Sequence, residues 1–241
     1  METIISLIAA CTAYYIFVWC AKFSVFIFAC IKNTTKNQKA RFNILRFMLS
    51  PDFCSSHFFK NLIKIERNDE ALHNKKNPNK LSVFIQSANF FNLITSIALA
   101  LITFLLVAEI DCKTLQDIVI YVALFRFCSR SIEIAQAFYK DTTQKCKDRN
   151  SSLDKYDRIK LAMISYVEIY IYAAPAYLFL CGNNIKDAIT LSLNVGSLTN
   201  VGMAFSAGSD FFNIIVFVQV FTTMILVILS LASYISRPET E

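Results

Sequence analysis

The chain has 241 residues, 55% of them hydrophobic, with a mean hydropathy of +0.46 and a formal net charge of +6. A water-soluble domain alternates apolar and polar faces, whereas this chain repeats runs of about twenty apolar residues, the length an α-helix needs to cross a ~30 Å hydrocarbon layer. That excludes an ordinary soluble fold, the lack of period-two alternation excludes a membrane barrel, and the expected class is an all-α, multi-pass helical membrane bundle.

The first expected span is Thr3–Ile31. It is too long for a signal-peptide core and has no basic segment before it, so it reads as a retained anchor. Residues 32–80 follow, with eleven Lys and Arg. Within them "RFNILRFML" and "HFFKNLIKI" are expected to lie as amphipathic helices in the membrane interface. Cys54-x-x-His57 is at most half a metal-ligand set, and no metal or cofactor is expected. The second span is Leu81–Ile110. A third, weaker one runs from about Asp117 to Tyr139.

Segment 140–160 holds seven Lys and Arg, while linkers 111–117 and 182–210 hold one each. The fourth span is Lys160–Cys181, which Pro175 should kink near its outer end. The fifth is Phe211–Ile235. Cytoplasmic loops carry the excess of basic residues, so five spans place 32–80 and 140–160 in the cytoplasm, the N-terminus outside and the C-terminus inside. The domains are then 1–31, 32–80, 81–158 and 159–241. The positive charge reflects topology, and no nucleic-acid partner is expected.

Arg126, Arg130, Glu133 and Glu168 fall inside spans, where ionisable groups are costly and usually paired. Arg130 lies ten residues, or about 15 Å, from Lys140, and Glu168 eight residues, or about 12 Å, from Lys160. The similar depth pairs Arg130 with Glu133 or Glu168. Two arginines followed at once by an acid suit structural pairing better than voltage sensing. Cys112 and Cys181 both fall on the outer side, where a disulfide is chemically possible. No nucleophile–base pair recurs on adjacent faces, so an enzyme is not expected.

The four glycines are Gly182, Gly196, Gly202 and Gly208, all within or just before "NVGSLTNVGMAFSAGSD". The 29 residues 182–210 are too few to cross twice, yet "IKDAITLSLNVGSL" is too apolar for an exposed loop. The pattern predicts a short helix, about 20 Å from Lys186 to Leu198, that enters the membrane part-way. The rest would climb back out without helical hydrogen bonds, helped by Gly202 and Gly208.

"DAITLSLNVGSLTNVGMAF" resembles a diverged pore signature of the tetrameric potassium-channel family. Asp187, Ala188, Ser192, Thr199, Val201 and Gly202 match it, and Ser197 replaces a threonine. The resemblance covers about 159–236. It implies a homotetrameric ion channel with pore loop 183–210 and an extended filter over Thr199, Asn200, Val201, Gly202, Met203 and Ala204. Asn200, Met203, Ala204 and Phe205 depart from the pattern, so the implied pore passes monovalent cations, potassium or sodium, with weak selectivity.

On the last helix Gln219, Thr223 and Ser230 sit at spacings of four and seven and share a face, continued by Tyr234. That stripe fits a water-lined pore wall, the alternative being hydrogen bonding between helices. The rival readings are a membrane effector or non-conducting scaffold and, further off, a transporter.

Overall fold

The computed structural model describes residues 2–30, 50–70, 80–143, 153–206 and 210–235. Every regular element among them is helical. In chain order they are α1 (Glu2–Cys30), α2 (Pro51–Glu70), α3 (Lys80–Glu109), α4 (Lys113–Thr143), α5 (Lys155–Tyr177), α6 (Ile185–Gly196), α7 (Val201–Ser206) and α8 (Asp210–Met224). The last helix widens into a π-helical stretch, Ile225–Leu231, and closes with α9 (Ala232–Ile235).

Among the described residues, two helices are long and apolar enough to cross a membrane, over Ile4–Ile27 of α1 and Leu81–Glu109 of α3. Their apolar side chains face outward: Ile4, Ile8 and Ile16 on α1, and Phe90, Leu101 and Leu105 on α3, are each more than half exposed. A soluble core helix would bury such residues. Of the other three expected spans, the last contributes a shorter apolar stretch, Asn213–Ile228.

Polar contacts fix the directions of the helices. Tyr14 stacks on Phe125 and Lys22 reaches Glu133, so α1 and α4 run parallel. Arg126 meets Tyr172, Arg130 meets Glu168 and Arg158 meets Asp141, so α5 runs back along α4. Asn89 bonds to Leu161 and Thr95 to Tyr172, so α3 runs with α5. Tyr234 donates to Asp141 and brings the end of the last helix to the same end of the bundle. The helix ends that flank the basic segments 32–80 and 140–160 therefore lie together.

The stretch "RFNILRFML" lies outside the described residues. The start of α2, just before "HFFKNLIKI", is buried in the bundle and not laid on a surface. Ser50 bonds Ser129, Asp52 pairs with Arg126, and Ser56 bonds Glu133. Ser50, Asp52, Ser55 and Ser56 are all buried. Ser129 is sixteen residues from Lys113 and fourteen from Thr143, near the centre of α4. Helix α2 thus starts at mid-bundle and runs outward beside α4. The reason is chemical: Asp52 compensates the buried guanidinium of Arg126, and an unpaired buried charge is far costlier than a paired one.

The main core joins α4, α5, α6 and the last helix through Phe127, Ile134, Ile169, Tyr172, Tyr177, Val195, Val216 and Leu226. A smaller cluster of Val25, Phe59, Ile63, Leu81 and Phe84 joins α1, α2 and α3.

Candidate functional site

Helix α6 begins at an Asn cap. Asn184 is extended, and its side chain accepts from the Asp187 amide at 3.3 Å while donating to the Asp187 carboxylate at 2.7 Å. Both contacts suit the positive end of a helix. Ala188, Leu191, Ser192, Val195 and Gly196 form one buried face, the spacing of a helix packed on one side. That face lies against α5. Ser192 donates to the Tyr170 carbonyl at 2.7 Å, and Tyr166 donates to the Gly196 carbonyl at 3.3 Å. A Cβ on Gly196 would sit 2.5 Å from the Tyr170 ring, so this glycine permits close approach.

Tyr166 is eleven residues from Lys155 and eleven from Tyr177. Helix α6 therefore runs back along α5 only to its midpoint. There it stops at Leu198, with φ of 58°. Thr199 donates to the Asn194 carbonyl and Leu198 to the Val195 carbonyl, both at 3.1 Å, which is the paired closure of a left-handed helix end. Ser197, Leu198, Thr199 and Asn200 are exposed. Ser197 and Thr199 share a hydroxyl–hydroxyl bond of 2.8 Å, and the Asn200 amide donates to the Met203 sulfur. Beside this polar tip the apolar side chains of Leu193, Leu198 and Met203 are exposed.

The extended filter expected over 199–204 is not what these residues adopt. Only Thr199 and Asn200 lie outside a helix, and Val201, Gly202, Met203 and Ala204 belong to α7. Gly202 has no positive φ and open space around its Cα, so its glycine freedom goes unused. The left-handed positions fall on Gly182, Asn183 and Leu198 instead. Ala204 is buried against the core and Met203 is exposed. Gly208 lies outside the described residues.

The polar stripe of the last helix is likewise corrected. Gln219 is fully buried, accepts from the Tyr177 hydroxyl at 2.8 Å and donates to the Ser192 carbonyl at 3.0 Å. It ties α8 to α5 and α6 within one chain. Thr223 is buried with no partner for its hydroxyl among the described residues, and Ser230 donates to the Ile225 carbonyl inside the π-helical stretch. The stripe turns into the chain's own bundle. The outward face carries Ile214, Phe217, Phe221 and Ile228. Hydrogen bonding between helices accounts for Gln219.

The ionisable residues converge on α4. Arg130 bonds Glu168 at 2.6 and 3.0 Å and Glu133 at 2.7 Å, so the structure brings together all three. Sequence reasoning missed two further members. Lys22 of α1 reaches Glu133 at 3.2 Å, and Asp52 of α2 pairs with Arg126. Arg126 also donates to Tyr172 at 3.1 Å and to Asn92 at 3.0 Å, and Tyr14 donates to Asp52 at 2.6 Å. Three cations thus face three carboxylates, all buried, the balance that burial of charge requires. The signal for Asp52 was available: "SPDF" sets proline and an acid at a helix start. Cys112 and Cys181 are both free thiols, and the disulfide allowed by their location is not formed.

No family model, curated protein or solved structure matches this chain.

Proposed function

We propose that the chain is the subunit of a membrane pore for monovalent cations, built from several copies arranged around the tip of the α6 hairpin. Four copies follow from the resemblance in the pore signature. The observation that carries the reading is the tip itself. Ser197, Thr199 and Asn200 are exposed at the level of the centre of α5, beside the exposed apolar side chains of Leu193, Leu198 and Met203. In a membrane, irregular polar backbone at that depth is tolerated only against protein or a water-filled space. Copies meeting at this tip supply both.

The chemistry favours cations. The negative end of the α6 dipole points at the tip, although its last carbonyls already accept from Ser197, Thr199, Leu198 and Tyr166. Hydroxyl and amide oxygens surround it, and no charged residue lies between Ala188 and Ser206. Selectivity between potassium and sodium is weak in this reading, because Val201–Ser206 is helical and offers no extended row of carbonyls. The pore wall belongs to the tip and not to Gln219, Thr223 or Ser230.

The test is current across a planar bilayer holding purified protein between potassium and sodium solutions. Discrete steps reversing near zero are expected, with Asn200→Asp raising cation over chloride preference and Asn200→Lys suppressing the current. Absence of steps, together with no inter-chain cross-link from Thr199→Cys, would overturn the proposal.

A further inference from the structure

Away from the hairpin, the bundle holds a slot of about 140 Å³ between α2, α3, α4, α5 and α9. Asp141, Arg158 and Tyr234 line one end of it, and Asn89, Asn92 and Arg130 the other. From Asp141 to Arg130 is eleven residues of one helix, about 16 Å. The first end sits where the basic segments leave the bundle; the second reaches its centre. Asn89, Asn92, Arg130 and Arg158 are each more than nine-tenths buried. Between these polar ends the wall is partly apolar, with Ile85, Ile134, Phe138 and Leu161 among its side chains, and the polar groups at each end give water the partners it needs in a space of this size.

The slot stops at a defined layer. Asn92, at its deep end, accepts from Arg126, which is held by Asp52 and Tyr172. One turn further along the same face of α4 lies Ala123, fully buried, with Ile120 beyond it. Polar lining ends and apolar packing begins at Arg126.

We infer that this slot is a water-filled inlet admitting hydrated ions and small hydrophilic solutes from the basic end of the bundle to its middle, closed there by the Asp52–Arg126–Tyr172 layer. It is a route within one chain and needs no second copy. Buried charges at mid-bundle are what such routes carry in membrane proteins. Helix α2 has a role in it: by starting at mid-bundle, it places Asp52 in the closure and Ser56 on the wall.

Thiol labelling with a small charged reagent tests this in reconstituted protein freed of native cysteines. Ala88→Cys and Ser165→Cys, on the slot wall, are expected to react at least about ten-fold faster than Ala123→Cys, which is reached only by local opening. Adding Asp52→Asn should raise the rate at Ala123→Cys about ten-fold or more, with Arg126→Met doing the same. Equal rates at the three positions, or no response of Ala123→Cys to either layer variant, would overturn the inference. Hydroxyl-radical labelling of the unaltered chain needs no variant to fold. Tyr234 should be oxidised and Tyr172 protected; the reverse order would count against the inlet. Neither readout depends on current through the hairpin tip.

Discussion

The Arg126–Asp52 pair makes the sharpest residue-scale prediction. Both side chains are fully buried and also bonded to Tyr14, Tyr172 and Asn92. Removing one partner leaves an uncompensated charge, so Asp52→Ala should lower stability by about 3–5 kcal/mol, whereas Asp52→Leu with Arg126→Met should lose far less. Denaturant unfolding in detergent measures the difference. The glycines separate by the same reasoning. Gly196→Ala drives a methyl into the Tyr170 ring and should cost about 1–3 kcal/mol. Gly202→Ala meets nothing within 4 Å in a helical position and should be neutral or stabilising by up to about 1 kcal/mol. Thermal unfolding of the two variants ranks them.

Among elements, what was legible depended on how local the signal was. The half-length α6 could be read from its cap, its 188–191–192–195–196 face and the chain length available, all carried within a dozen residues. The conformation after it could not. "TNVGMAF" has no strong propensity, and a motif resemblance favoured extension where the structure has α7. The stripe of Gln219, Thr223 and Ser230 was visible as a stripe, but its direction depends on Tyr177 and Ser192, which no pattern within α8 reveals. Insertion of α2 was harder still, because the partner of Asp52 lies 74 residues away. The corrected direction has a consequence. Gln219→Leu leaves the Tyr177 hydroxyl buried without its partner and should cost about 1–3 kcal/mol. A pore-wall position would instead tolerate leucine in the fold and change conductance. Unfolding of the purified variant distinguishes the two.

At the scale of the molecule, the decisive matter is whether α5 crosses the membrane with α6 folded back along it. Helix α5 has 23 residues, about 35 Å, and α6 has 12, about 18 Å. The first could span the hydrocarbon layer and the second could reach only its middle. Contacts of α5 with α3 and α4 put its start beside the ends that carry the basic segments. If α5 crosses, with its basic end on the cytoplasmic side as the charge rule expects, Tyr156 at the start of α5 and Asn183 in the turn after it lie on opposite sides. Both are exposed, and cysteines there should be reachable without unfolding. In intact cells, a membrane-impermeant thiol reagent is expected to label Asn183→Cys and to reach Tyr156→Cys only after permeabilisation. Labelling of both from outside would mean that α5 does not cross. The tip at Ser197–Asn200 would then sit in water, where exposed polar backbone requires no explanation, and the reason for gathering copies around it would be gone.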